Sequence, residues 1–202
     1  GNLQQRLVVV RPRGSVFCSV NGVLGYSASR ANYMAQLVAE RLTGAREEGY
    51  INAAMQRGID LEAQARAMYE FHTGNTVTET GFTPHPSIAM CGASPDGLVG
   101  EDGLVEIKVP NTATHIATLR GGKVDDRYVK QMHLQMLCTG RKWCDFVSFD
   151  DRLPDEMALH IERIELDVDL AAEMEAEIAK FLTELDETVA DLEARYLQQK
   201  AA

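Results

Sequence analysis

Apolar residues recur along this chain with two different periods, and the periods divide it into helices and strands. In SASRANYMAQLVAERL, Met34, Leu37, Val38 and Leu42 fall three or four apart. That spacing predicts an amphipathic helix that opens at a Ser27 or Ser29 cap and closes at Gly44. A second helix is predicted from Asn52 to His72, stopped by Gly74-Asn75, with Ile59, Glu62, Arg66 and Tyr69 on one face. A third runs from Asp126 to Thr139. The last, Leu170 to Gln199, carries the stripe Ile178, Phe181, Leu182, Leu185, Val189 and Leu192, which is expected to cover the domain's own sheet rather than a partner helix.

Runs of shorter period lie between these helices. Leu7–Val10 reads as a strand cut off by RPRGS, and Thr76–Thr83, Ala89–Ser94, Trp143–Phe149 and Leu159–Leu166 read as further strands. Strands interleaved with helices, without an internal repeat or a low-complexity linker, predict an α/β fold with a central mixed sheet. At 202 residues the expectation is one domain, with residues 1–26 as a divergent N-terminal segment and 170–199 as a C-terminal amphipathic helix.

Composition narrows the function classes. Hydrophobic residues at 45% and charged residues at 25% are ordinary for a soluble globular chain. No apolar run approaches the ~20 residues that span a bilayer, no signal peptide is evident, and no membrane role is expected. Cys18, Cys91, Cys138 and Cys144 lack metal-binding or disulfide spacing, so a reduced, cytoplasmic setting is expected. A net charge of −10 argues against wholesale adhesion to nucleic acid but leaves room for a local basic groove.

The stretch GASPDGLVGEDGLVEIKV, Gly92 to Val109, sets two carboxylates and a lysine among residues that read as core. A turn at Asp102-Gly103, or over Gly100 to Gly103, joins the runs Asp96–Val99 and Leu104–Val109. Pairing Val99 with Gly103 then brings Asp96 opposite Glu106, with Cβ atoms ~5 Å apart, where like charges repel. Alternation sends Val105, Ile107 and Val109 to one face and Glu106 and Lys108 to the other, beside Asp96. A divalent cation between the carboxylates would offset the repulsion, and the Ile107 carbonyl could supply another oxygen. Lys108 would orient or deprotonate a water, or stabilise negative charge developing on a phosphate. The plain alternative is a solvated hairpin on which Lys108 neutralises the acids. Glu62 could add a third carboxylate or simply pair with Arg66. Gln131, Gln135 and Tyr128 share a helix face and, taken singly, read as ordinary helix polars.

RGIDLEAQAR, ASPDGL, VEIKVP, THIATLRGG and YVKQMHLQM, in that order and spacing, resemble the phage lambda exonuclease and YqaJ-type viral recombinase nucleases. These are restriction-endonuclease-like enzymes of the PD-(D/E)xK superfamily, and the similarity covers about Ser27 to the C-terminus. The resemblance implies a restriction-endonuclease-like core. It implies that Asp96, Glu106 and the Ile107 carbonyl bind catalytic Mg²⁺ (Mn²⁺ as a substitute) and that Lys108 assists the attacking water. Glu62 matches the family's upstream helix glutamate beside the metals, Gln131 the glutamine that approaches the active site, and Ser94 a position that helps hold the 5′-phosphate. Such enzymes digest linear double-stranded DNA processively from 5′ ends and leave 3′ single strands. They do so as a ring-shaped homotrimer with a single-strand annealing protein as partner, which implies a bacterial host or prophage origin. Relatives open with a glutamine-arginine, a tryptophan and an arginine-glycine stretch leading to a phosphate-binding serine. Here Gln4-Gln5-Arg6 is followed by LVVVRPRGS without the tryptophan, and the resemblance suggests Arg11 or Arg13, with Ser15, as the corresponding phosphate contacts.

Other uses of the same residues stay open from sequence. The fold could serve an endonuclease, or a DNA-end-binding module whose acids are merely solvated. Two carboxylates ~5 Å apart also suit a retaining glycosidase, but that leaves Lys108 without a role and the chain has one Trp.

Overall fold

A computed structural model describes residues 23–24, 27–45 and 52–197 of the chain. The strand expected at Leu7–Val10, together with Arg11, Arg13 and Ser15, lies outside the described residues.

The first long element among the described residues is helix α1 (Ser27–Thr43), and Gly44 follows at φ 68°, the left-handed conformation a glycine adopts without strain. Ser29 lies inside this helix rather than capping it. Helix α2 (Ala53–Thr73) begins at Asn52, whose side chain accepts the Met55 N–H, and ends at Gly74. Strands β1 (Val77–Thr78), β2 (Thr83–Pro84), β3 (Gly92–Ala93), β4 (Gly97–Val99) and β5 (Gly103–Lys108) follow. Helices α3 (Thr112–Leu119) and α4 (Asp126–Thr139) then lead to β6 (Trp143–Phe149), the short α5 (Asp155–Ala158), β7 (Leu159–Glu165) and α6 (Val168–Tyr196).

The main sheet has the order β1-β4-β5-β6-β7, antiparallel throughout except for the parallel β5–β6 pair. It is the mixed sheet flanked by helices that the alternation of elements predicts. All six residues of β5 are buried, as befits a strand covered on both faces. On one face Val105 and Ile107 pack with Val147, Phe149, and Ala65 and Tyr69 of α2. On the other, Leu104 packs with Cys144, Phe146, and Met132 and Met136 of α4.

Three expectations need correction. The runs Thr76–Thr83 and Ala89–Ser94 shrink to two-residue strands, and β2 and β3 pair with each other apart from the main sheet. Strand β4 offers only three residues between the proline ring of Pro95, which has no N–H to donate, and the turn at Gly100, so β1 has little to pair with. Of the two turns weighed, the one that opens at Gly100, at φ 55°, is present. Gly103 is instead the first residue of β5, where a side chain would collide with the Trp143 indole. Helix α6 starts at Val168, because the Asp167 carboxylate accepts the Asp169 and Leu170 N–H groups. Its stripe does cover the molecule's own core, but through helices: Ile178, Phe181, Leu182 and Leu185 pack with Leu37 and Val38 of α1, Leu134 and Cys138 of α4, and Cys91 and Ala93. Arg30 of α1 pairs with Glu184 at 2.7 Å, and Tyr33 stacks on Phe181.

Candidate active site

The β4–β5 hairpin takes the register read from the alternation, with Val99 opposite Gly103, Leu98 opposite Leu104 and Gly97 opposite Val105. One step further, the ladder gives way to a side chain. Asp96 turns its carboxylate in and accepts the backbone N–H of Ile107 at 2.7 Å on Oδ2. Val105 and Ile107 hold the back of β5 in an apolar cluster, which leaves Glu106 and Lys108 on the front with Asp96. The front is not solvated. Asp96, Glu106 and Lys108 are 4%, 0% and 5% exposed, because α4 lies across them.

Helix α4 contributes three polar side chains to this closed space. Gln131 donates Nε2 to Glu106 Oε1 at 2.7 Å, and Gln135 donates Nε2 to Glu106 Oε2 at 2.7 Å. A second, longer bond runs from Gln135 Nε2 to the Ser94 carbonyl at 3.4 Å. The Tyr128 ring, stacked on Phe146, faces the Lys108 ammonium with Nζ 4.9 Å from its centroid. Lys108 also forms an ion pair with Glu106 Oε1. Sequence reading groups Tyr128, Gln131 and Gln135 on one helix face but does not find the joint hold of Gln135 and Tyr128 on the acids and the lysine. The available signal is a polar stripe beside Met132, Leu134 and Met136, apolar residues on the same helix.

Electrostatics single out Asp96. Burial pushes its carboxyl well above the usual carboxylate range, and the Glu106 charge adds to this. Lys108 and the Ile107 N–H pull the other way, while Glu62 pushes it up further. Lys108 is drawn down by burial, but Glu106 and Asp96 more than offset that and raise it above its ordinary value. It therefore stands as an ammonium, suited to orienting oxygen or stabilising negative charge rather than to taking a proton. Cys144, beneath the acids, is a thiol pushed up by burial and then by Glu106 and Asp96.

Of the residues expected at the site, Asp96, Glu106, Ile107, Lys108 and Gln131 come together directly. Ser94 is half-buried two residues before Asp96, tied in by its carbonyl. Glu62 projects from α2 with its side chain 23% exposed and pairs with Arg66 at 3.0 Å, so the pairing weighed from sequence is present. Its charge still reaches Asp96. Among the described residues no three His, Cys, Asp or Glu side chains are clustered to hold a metal ion. The two carboxylates nevertheless fit a hard cation. Asp96 Oδ1 is buried with no hydrogen-bond partner among the described residues, and the like charge beside it is only part-neutralised by Lys108. A divalent ion on oxygen ligands would satisfy both deficits.

A two-carboxylate and lysine face lies on a mixed sheet with helices on both sides, and the chain's relatives make it a deoxyribonuclease. The YqaJ-like viral recombinase domain matches residues 6–142, and the chain belongs to that family. Among solved structures it is similar to LHK-Exo in complex with dAMP, at 54% identity and a TM-score of 0.86, over 93% of this chain and 95% of that one. It is likewise similar to the alkaline exonuclease LHK-Exo from Laribacter hongkongensis, at 56% identity and a TM-score of 0.81 over 90% of each chain. A phage-related exonuclease from Haemophilus somnus 129PT shares the fold at 16% identity and a TM-score of 0.66, over 88% of this chain and 96% of that one. No curated protein sequence matched. Among the described residues no helix is long and apolar enough to cross a membrane.

Proposed function

We infer that this protein is a Mg²⁺-dependent exonuclease that digests linear double-stranded DNA in the 5′-to-3′ direction and leaves 3′ single-stranded tails for annealing. The observation that carries the reading is the buried front of β5, where Asp96 keeps an unpartnered oxygen beside Glu106 and a lysine held as an ammonium. Asp96 and Glu106, with the Ile107 carbonyl, would hold the metal. When bound, a divalent cation supplies charge neutralisation and Lewis acidity toward phosphate and water. Lys108 donates to the attacking water or to a non-bridging phosphate oxygen, where it stabilises the charge that builds up on phosphorus. Water adds to phosphorus and gives up a proton to solvent, the bond to the 3′-oxygen of the leaving nucleotide breaks, and that oxygen takes a proton. Gln131 keeps Glu106 in place during the step, and Glu62 stands beside the acids from α2. Ser94 adjoins the site from the Pro95 side, with Arg11, Arg13 and Ser15 as the candidate 5′-phosphate contacts. Binding of dAMP by a relative supports a nucleoside monophosphate product. A homotrimeric ring and a single-strand annealing partner follow from the family resemblance alone.

A linear duplex with one 5′-phosphate and distinguishable labels at each end tests the reading, alongside a covalently closed circle. With Mg²⁺ or Mn²⁺ the 5′ label should leave first as a mononucleotide, 3′ tails should accumulate, EDTA should stop the reaction and the circle should survive. Degradation that resists EDTA, or none with either metal, overturns it. Early loss of the 3′ label reverses the polarity, and cutting of the circle makes the enzyme an endonuclease.

A further inference from the structure

The two glutamines of α4 do different jobs on Glu106. Oε1 is contacted twice, by the Gln131 amide at 2.7 Å and by the Lys108 ammonium. Oε2 receives Gln135 Nε2, also at 2.7 Å. The terminal torsion of a glutamate is broad and roughly two-fold, so contacts on one oxygen leave the carboxylate plane free to swing. A donor on each oxygen, from two side chains one turn apart on a packed helix, fixes the plane. Gln135 is 1% exposed, and its carbonyl Oε1 has no partner among the described residues. Burying an amide with an unmet acceptor costs free energy that an apolar residue at this position, between Leu134 and Met136, would not incur. The second N–H of the same Nε2 reaches the Ser94 carbonyl at 3.4 Å, in the segment that leads into Asp96. One side chain therefore touches both arms of the hairpin that bears the two carboxylates.

Resting on the cation-dependent reading above, we propose that Gln135 is a positioning residue that presets Glu106, and its spacing from the Asp96 arm, for a divalent cation. It touches neither the phosphate nor the attacking water. It acts through the orientation of Glu106, where its bond to Oε2 complements that of Gln131 to Oε1, and through the Ser94–Asp96 segment, which Gln135 alone of the two glutamines contacts among the described residues.

The test compares the parent with Gln135→Met, which keeps the length but has no donor, and Gln135→Glu, which keeps the shape but faces Glu106 with an acceptor. Mn²⁺ binding is measured calorimetrically without DNA, and thermal unfolding in EDTA reports folding. Losing an outer hydrogen bond to a metal ligand costs about 10- to 100-fold in metal affinity, and Gln135→Met should weaken Mn²⁺ binding by that factor. Its duplex-digestion rate should recover as Mn²⁺ is raised. Gln135→Glu should bind Mn²⁺ differently from the parent as well, and it decides the matter if Gln135→Met does not fold. A merely structural glutamine would lower the unfolding temperature and leave the Mn²⁺ affinity and the cation dependence of the rate where they are in the parent; that result overturns the proposal. A parent that binds no Mn²⁺ overturns both readings, whereas a parent that binds it alongside variants that match it overturns this one alone.

Discussion

The Asp96 carboxylate accepts the backbone N–H of Ile107, the residue that separates Glu106 from Lys108 on β5. The bond holds one oxygen of a buried acid against the strand and leaves the other without a partner among the described residues. An asparagine in its place could accept the same N–H through its amide oxygen while carrying no charge. Asp96→Asn should therefore unfold at the same or a higher temperature in EDTA, because it removes a charge that burial and Glu106 both disfavour. It should also lose the Mn²⁺-dependent rise in unfolding temperature that binding to the folded state produces. Duplex digestion should fall by at least about 100-fold, the upper range for losing an outer partner of a metal ligand. The single tryptophan, Trp143, reports unfolding by fluorescence. An Asp96→Asn protein stabilised by Mn²⁺ as much as the parent would remove Asp96 from the cation site.

Lys108 is the cation that pairs with Glu106 beside Asp96, and its removal separates chemistry from binding. Lys108→Ala should reduce single-turnover cleavage by about 10²- to 10³-fold, the size of losing one donor to developing negative charge. Duplex binding measured by fluorescence anisotropy with Ca²⁺ should change little. The variant should also be less stable in EDTA, because Glu106 would be left buried without its ion pair. Full activity in this variant would take Lys108 out of the mechanism.

Much of this site is legible in the chain itself. Alternation in LVEIKV and the turn after Val99 suffice to place Asp96, Glu106 and Lys108 on one face in the correct register, because a period of two fixes which side each residue takes. What alternation cannot supply is the layer above that face. Whether Gln131, Gln135 and Tyr128 look outward or inward depends on where α4 docks, and docking is decided by Met132 and Met136 packing on Leu104 and Phe146, far away in sequence. The sequence alone therefore leaves a solvated hairpin open. The brevity of β1, β2 and β3 is hidden for a related cause: a run of strand-forming residues does not reveal how short its partner is.

Tyr128 supplies a check on how Lys108 is held. Its ring face lies 4.9 Å from Nζ, and attraction of a desolvated ammonium to such a face amounts to about 1–2 kcal/mol. Tyr128→Phe keeps the face and the stacking on Phe146, so its cleavage rate should stay within about two-fold of the parent, since only the small difference between the two rings is at stake. Tyr128→Leu should lower the single-turnover rate by about ten-fold, the equivalent of ~1.4 kcal/mol, with duplex affinity unchanged. Equal rates for Leu and Phe would show that the ring does not position the lysine.

Asp150, at the end of β6, should make the fold acid-sensitive. Its side chain is fully buried, and burial alone would raise its pKa, but hydrogen bonds from Arg152 and Thr112 hold the carboxyl well below the usual carboxylate range. Arg152 contacts both oxygens, at 2.7 Å and 2.9 Å, and Arg57 of α2 adds a bond at 3.1 Å. A carboxyl whose folded pKa is depressed contributes stability that is fully present above its unfolded pKa of about 3.9 and is lost as pH falls toward the folded value. Unfolding temperature followed from pH 7 downward should therefore hold until about pH 4 and then drop. Asp150→Asn keeps most of the shape but not the charge, so it should be less stable at pH 7 by about 1.5–3 kcal/mol, the worth of a hydrogen bond to a charged group. The gap between variant and parent should narrow as the pH is lowered through that window. A gap that stayed constant down to pH 2 would mean that the Asp150 charge does not contribute to stability.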